Sequence, residues 1–381
     1  MDRLDGSPHA IGAVSAMTGD RVDDHRSRIR GLPARAVGDL HRTVREAAAT
    51  QGIPPAVRAL RRSVPVHLEA ARHPPDRIGD MTRELREIFE QAGCEGALCV
   101  RPVQGDGEIV LDADRPAVQA SVFKVQIALE VEAAFADGRL DGRERVTLGA
   151  AERTDGPVGM SLFEDETVLS LRDLVVLMLT ISDNPATDVL LGRVGVDAVN
   201  ATAARLGLSG TLVTSDLRTM LDTIGEDLGR ADWADLQSWA AGASAADQVW
   251  VDEQLPTVRA MDPSRGTRTT PRDMVALLRL IWTDRAGPAA ACARVRGAMA
   301  RQLTRHRIGS GFRPPVRVAA KSGSLFGVVR NEVGVVSFPD GRQYAAAVFT
   351  RSRPGSDDAE ISRAIGAATA RAVTALREVG S

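Results

Sequence analysis

The sequence predicts an α/β fold of the α+β type, in which a five-stranded antiparallel sheet flanked by helices is joined to an all-helical lobe. Two strand-like segments lie close together near residue 100, three more lie near the carboxyl end, and the residues between these groups show helical spacing. If strands from both ends of the chain meet in one sheet, the long helical segment between them forms a lobe of its own.

The strands are predicted from short segments on either side of turn residues, and residues 316–321 also alternate apolar with small residues. Residues 96–103 and 108–113 form two of them, and Gly105 and Gly107 between them give the backbone freedom that a tight hairpin needs. The other three strands are expected at residues 316–321, 328–338 and 343–350, with a turn at residues 339–341.

Helical spacing of apolar residues predicts the helices of the lobe. They are expected at residues 121–136, 171–181, 186–194 and 196–206. Thr270 followed by Pro271 marks the start of another, because proline is favoured in the first helical turn. A closing helix at about residues 358–379 would return to the sheet.

Composition limits the kinds of partner. The 381 residues are 44% hydrophobic, which is enough for a sizeable core, and a net charge of -2 offers no basic surface to a nucleic acid. We find no apolar run as long as a membrane span and no hydrophobic signal core in the first 30 residues, so a cytoplasmic location without membrane contact is expected. Three cysteines and six dispersed histidines lack metal-ligand spacing, so we expect neither a metal nor another cofactor.

Only two of the 48 basic side chains are lysines, Lys124 and Lys321. Arginine and lysine are often exchangeable on a solvated surface. They are not exchangeable where an amine must lose a proton, because a guanidinium stays charged whereas a desolvated ammonium can become neutral. The two lysines are therefore candidate catalytic residues.

Lys124 ends a Ser-x-x-Lys motif that begins with Ser121 and leads into an apolar run with helical spacing. Residues three apart on a helix are neighbours, so the amine can reach the hydroxyl and take its proton as the serine attacks a carbonyl. The alternative is that Ser121 only caps the helix, its oxygen satisfying a free backbone N–H group.

Two further motifs follow in the chain. Ser182, Asp183 and Asn184 come directly after a predicted helix, and their alternative role is to cap the next helix, which Pro185 would open. Lys321 ends a predicted strand and begins the triplet Lys321–Ser322–Gly323.

Ser-x-x-Lys, Ser-Asp-Asn and Lys-[Ser/Thr]-Gly in this order resemble the motif set of class A β-lactamases and penicillin-binding enzymes, over roughly residues 84–378. The resemblance implies their fold, with an active site between the two lobes. It also implies that Ser121 is the acylated nucleophile, that Lys124 deprotonates it, that Ser182 relays a proton to the leaving nitrogen, and that Asn184 holds the side-chain amide of the substrate.

The same resemblance assigns the second lysine and its neighbours. Lys321 would lower the pKa of the serine and amine network and attract a substrate carboxylate, which Ser322 would bind. The backbone N–H groups of Ser121 and Ser324 would form the oxyanion hole. Arg330 falls where many family members keep an arginine that binds the same carboxylate; the alternative is a solvated strand arginine.

The sequence departs from the family after Ser-Asp-Asn. Class A enzymes usually carry a Glu-x-x-x-Asn loop some 35 residues later, whose glutamate activates the deacylating water. Residues 211–220 contain neither glutamate nor asparagine. Asp216 is one methylene shorter and Glu226 lies several residues late, so the deacylating base stays open.

Three functions are compatible with these residues. The first is a serine hydrolase that opens a β-lactam, or a related cyclic amide or ester, through a Ser121 acyl-enzyme. The second is an intracellular biosynthetic esterase or acyltransferase of the same fold, and the third is a binding or sensor module that is acylated by penicillin without turnover. The substrate is expected to be a small molecule with a carboxylate, and the sequence does not indicate an oligomeric state.

The resemblance also divides the chain. Residues 84–381 are expected to form the β-lactamase-like domain, and residues 1–83 a helical, partly disordered appendage.

Overall fold

The structure is a computed structural model that describes residues 77–379. A 3-10 helix, Ala120–Phe123, directly precedes the second α-helix. The α-helices in chain order are α1 Arg77–Gln91, α2 Lys124–Ala136, α3 Leu171–Thr180, α4 Asn184–Val194, α5 Val196–Arg205, α6 Leu217–Asp227, α7 Trp233–Ala240, α8 Ala245–Gln254, α9 Pro271–Trp282, α10 Ala289–Met299 and α11 Asp358–Val379. The strands are β1 Cys94–Pro102, β2 Ile109–Leu111, β3 Ala117–Val118, β4 Arg145–Leu148, β5 Thr167–Ser170, β6 Arg268–Thr269, β7 Arg317–Leu325, β8 Val329–Ser337 and β9 Gln343–Ser352.

The main sheet confirms the predicted fold class. Its five strands lie in the order β2-β1-β9-β8-β7, and every neighbouring pair is antiparallel. Strands from both ends of the chain thus meet at the pair β1 and β9. Two small two-stranded sheets, β3 with β6 and β4 with β5, were not predicted, since the strands of the first are only two residues long and those of the second only four.

Both faces of this sheet are covered by helices. Along β9, Ala345 and Ala347 pack into the core shared with α2 and α9, whereas Ala346 and Val348 pack against α1 and α11. Successive side chains of a strand point to opposite faces, so a strand buried on both sides is apolar throughout.

The helical lobe is built around α2, of whose 13 residues ten are buried. It contacts α3, α4, α5 and α10. The predicted helices of this lobe are present, with ends that differ from expectation by one to three residues. One difference matters for function: residues 120–123 form the 3-10 helix, so Ser121 precedes α2 and lies in a tighter turn.

Helices α6 to α8 were not predicted. They are short, and their apolar side chains form a third core cluster that also includes residues of β7 and the turn after it. Their stability therefore depends on contacts with residues distant in sequence, which local spacing does not reveal.

The predicted appendage lies mostly outside the described residues, which begin with α1 at Arg77. Among residues 77–379, no helix has the length and apolar character needed to cross a membrane.

Candidate active site

Ser121 lies in the 3-10 helix between β3 and α2, and it lines a cavity of about 940 Å³. Ala120 before it has a φ of +46°, a conformation that is uncommon for a residue with a side chain. The cap at the start of α2 is Phe123, with no side-chain hydrogen bond. The alternative that Ser121 is only a helix cap is therefore wrong.

The edge strand β7 passes close to this turn. A Cβ atom added to Gly323 would lie 3.0 Å from the backbone nitrogen of Ser121 and 3.1 Å from that of Val122. Glycine at this position thus lets the strand approach the nucleophile. From β8, Asn331 Nδ2 donates to the carbonyl oxygens of Val118, at 2.8 Å, and Gln119, at 3.2 Å, which holds the residues before the turn against the sheet.

Lys124 begins α2 and is completely buried. Its Nζ donates to the carbonyl oxygen of Ser182 at 2.7 Å, to Ser182 Oγ at 3.2 Å and to Asn184 Oδ1 at 2.8 Å. Burial lowers the pKa of Lys124 from 10.5 to about 7, although the carboxylates of Asp188 and Asp183 act in the opposite direction. A large fraction of this amine is therefore neutral near pH 7.

The Ser-Asp-Asn segment forms the turn between α3 and α4. Ser182 has a φ of +67°. Asp183 caps α4 by accepting from the backbone N–H of Ala186 at 2.8 Å, and it also accepts from that of Met160 at 2.7 Å. The capping role is thus correct for Asp183, whereas Ser182 and Asn184 line the cavity.

Lys321 reaches the same hydroxyl from the sheet. Its Nζ donates to Ser182 Oγ at 3.0 Å and to the carbonyl oxygen of Ser322 at 2.6 Å. Burial, together with the positive charges of Lys124 and Arg307, lowers the pKa of Lys321 well below its usual value. Ser182 Oγ therefore lies within hydrogen-bond distance of both lysine amines of the chain.

A buried polar network supports β7 on the side of Lys321. Gln302 Oε1 accepts from the backbone N–H of Ser322, and Gln302 Nε2 donates to Glu332 Oε1 at 3.0 Å. The other oxygen of Glu332 accepts from the backbone N–H of Ile308 at 2.6 Å. Burial raises the pKa of Glu332 above its usual value, although the charges of Arg307 and Lys321 act in the opposite direction. Glu332 is the buried carboxylate that faces these two cations.

Arg307 belongs to the site but was missed by the sequence analysis. Its guanidinium donates to the carbonyl oxygens of Gly323, at 2.8 Å, and Asn331, at 2.7 Å, and to Ser324 Oγ at 2.6 Å. It lines the cavity, and burial lowers its pKa to about 10. Arg307 lies in the connection between α10 and β7, where no motif or periodicity marks it among 46 arginines.

Arg330 also lines the cavity, beside Ser322 and Ser324. It is mostly buried, so it is not a solvated strand arginine. Its guanidinium pairs with the carboxylate of Asp358 and donates to the carbonyl oxygen of Val329 at 3.0 Å.

The two candidate deacylating bases differ in position. Asp216 lines the cavity and caps α6 by accepting from the backbone N–H of Thr219 at 2.7 Å. Glu226 instead pairs with Arg259 at 2.6 Å and is not among the residues that line the cavity. Within residues 77–379, we find no group of three or more His, Cys, Asp and Glu side chains that could hold a metal ion.

Comparison with known proteins identifies the family. The model of the β-lactamase enzyme family matches residues 80–376, which is most of the chain. The chain belongs to this family. It is 29% identical over 304 residues to a β-lactamase regulatory protein, BlaB, of Streptomyces cacaoi, and the match covers 76% of this chain and 95% of that protein.

Solved structures have the same fold. A β-lactamase of Sphaerobacter thermophilus superposes with a TM-score of 0.61 at 24% identity, covering 78% of this chain and 97% of that one. The penicillin-binding protein PBP-A superposes with a TM-score of 0.61 at 19% identity, covering 78% and 96%. The fold is therefore that of class A β-lactamases.

Proposed function

We propose that the protein is a serine acyl-transferring enzyme that forms an acyl ester on Ser121 from a β-lactam or a related cyclic amide or ester. The observation that carries this proposal is the position of Ser182 Oγ, 3.2 Å from Lys124 Nζ and 3.0 Å from Lys321 Nζ, beside Ser121 in one cavity. A hydroxyl between two desolvated amines can pass a proton in either direction.

Acylation would proceed in two steps. Neutral Lys124 takes the proton of Ser121 Oγ as that oxygen bonds to the carbonyl carbon, and the carbonyl electron pair moves onto oxygen, where the N–H groups of Ser121 and Ser324 stabilise it. When the carbonyl reforms, the bond to the leaving nitrogen or oxygen breaks. The proton then passes from Lys124 through Ser182 Oγ to the leaving atom.

Positive charge beside the cavity would attract a carboxylate on the substrate, and Arg307 and Arg330 line the cavity. Lys321 and Ser322 lie on β7, Arg330 lies opposite Ser324 on β8, and Arg307 donates to Ser324 Oγ. Since Arg330 is paired with Asp358, we assign the carboxylate first to Ser322 and Arg307.

A second candidate function is a sensor that stays acylated. Two observations favour it: the relative from Streptomyces cacaoi is named a regulatory protein, and residues 211–220 lack the glutamate that class A enzymes use for deacylation. An intracellular esterase or acyltransferase is the third, with an ester or thioester as substrate.

Time-resolved intact mass spectrometry separates these functions. The protein is mixed with a penicillin, a chromogenic cephalosporin or an aryl ester, and adduct and product are followed together. An adduct that decays as product accumulates supports a hydrolase, one adduct per chain without turnover supports a sensor, and turnover of esters alone supports the esterase. Ser121→Ala should form no adduct, whereas Ser238→Ala, which changes an exposed serine on α7, should behave as wild type. An adduct on the Ser121→Ala variant would refute the proposal.

A further inference from the structure

The lining of the cavity falls into two chemically different sets. The polar set comprises the residues discussed above, with their hydroxyl, amide, carboxylate and guanidinium groups, and further residues that include Thr219, Thr223, Arg259, Arg265, Thr267 and His306. The second set is apolar, and its members belong to one continuous core cluster against which Met220 also packs. These residues are Val118, Leu221, Ala260, Leu325 and Phe326.

The start of α6 contributes one face to this apolar wall. Leu217, Met220 and Leu221 are spaced three and four residues apart, which places them on the same side of the helix, and all three line the cavity. This is the part of the chain in which a class A enzyme would carry its water-activating loop. Here the residues of α6 that line the cavity are the three apolar ones and two threonines, Thr219 and Thr223, with no carboxylate among them.

Phe326 forms another part of the wall, in the turn between β7 and β8. Its φ of +41° is rare for a bulky residue and persists only where surrounding packing imposes it. The ring packs on Trp233 of α7, with 5.7 Å between ring centroids. Trp233 Nε1 donates to Asp155 Oδ2 at 2.7 Å, and the carbonyl oxygen of Asp155 accepts from Asn184 Nδ2 at 2.7 Å. Hydrogen bonds thus connect the aromatic pair to the polar site, which holds the wall in one shape.

We propose that this wall binds the acyl part of the substrate, so that the preferred acyl donors are esters or amides of extended aliphatic or arylalkyl acids. Met220 and Phe326 set the length that the site accepts. The inference rests on the proposed acylation of Ser121. A cavity of about 940 Å³ lies at the upper end of the range for small-molecule sites, which are mostly apolar with a few orienting polar groups.

The first test is a chain-length series of p-nitrophenyl acetate, butyrate and octanoate. Each methylene buried against the wall should raise kcat/KM for acylation by up to about fourfold. Met220→Asn should weaken this dependence, so that the ratio of kcat/KM for octanoate to kcat/KM for acetate falls by about tenfold or more. The matched control is Val176→Asn, which changes an exposed apolar residue on α3 and should retain the wild-type dependence.

A binding experiment separates this inference from the proposed function. Calorimetry on Ser121→Ala should show tighter binding of N-octanoylglycine than of N-acetylglycine, and Met220→Asn should reduce the difference. Acylation of Ser121 without dependence on chain length, or with a dependence that Met220→Asn leaves unchanged, would overturn the inference and leave the proposed function standing. Binding that depends on chain length, with no acylation by any ester or β-lactam, would overturn the proposed function and support the wall as a binding site. Absence of both would overturn both.

Discussion

The pH dependence of Ser121 acylation should report the protonation of Lys124. Burial lowers the pKa of this amine from 10.5 to about 7. At pH 7, an amine with a pKa of 10.5 is neutral in about one molecule in 3,000, whereas one with a pKa of 7 is neutral in about half. Burial thus increases the fraction of available base by roughly 1,500-fold, which is the size of effect that a general base contributes to catalysis.

The assay is the second-order rate constant of acylation, measured by stopped flow with a chromogenic cephalosporin or a p-nitrophenyl ester from about pH 5 to pH 9. Because the neutral amine is the base, the rate should rise about tenfold per pH unit at the acid end and level off above about pH 8. Lys124→Arg should abolish the reaction, since a guanidinium does not lose its proton in this range.

A second variant tests the electrostatic origin of this pKa. The carboxylate of Asp188 raises the pKa of Lys124, so Asp188→Asn should move the rising limb of the profile to lower pH. The amide retains an oxygen that can accept from Leu217 N–H, to which Asp188 Oδ1 is bound at 2.8 Å. A profile that is flat across this range, or a rising limb that Asp188→Asn moves to higher pH, would show that the rate does not follow the protonation of Lys124.

Three further outcomes are expected. Gly323→Ala should lower the rate constant of acylation by at least about tenfold, because the added Cβ would press on the backbone at Ser121. Gly297→Ala, which places no atom near the added methyl group, should leave this rate constant unchanged. Lys124→Met should raise the free energy of unfolding by on the order of 2 kcal/mol, because it removes the cost of desolvating the buried amine. Since the folded pKa is the lower one, protonation favours the unfolded chain, so melting curves should show a larger gain at pH 6 than at pH 9. Asp216→Asn should lengthen the lifetime of the adduct seen by mass spectrometry, whereas Glu226→Gln should not, because Asp216 lines the cavity and Glu226 does not.

The main sheet was predictable because its strand-like segments are short, are bounded by turn residues and lie on either side of the long helical segment. The end of β7 was not: Ser322, Gly323 and Ser324 are small or polar, yet they continue the strand because they pair with residues of β8. Helices α6 to α8 escaped prediction for a related reason, since their apolar faces are completed by residues such as Leu325 and Phe326 far along the chain.

The three motifs predicted that Lys124 and Lys321 lie near Ser182, because the fold that the motifs indicate brings these segments together. Both amines are within hydrogen-bond distance of Ser182 Oγ. Local sequence carries no comparable signal for Arg307 or Glu332. Arg307 is one arginine among many, and Glu332 occupies a strand whose neighbours cover both of its faces, so its burial becomes evident only in three dimensions. The rarity of lysine was the useful signal, because it isolates the two amines that the site buries.

The role of Ser121 as nucleophile is tested by locating the acyl group. The protein is treated with a penicillin and with an aryl ester, quenched in acid and digested, and the modified peptide is sequenced by tandem mass spectrometry. If Ser121 is the nucleophile, the added mass lies on Ser121. An acyl group on any other residue, with Ser121 unmodified, would contradict this role.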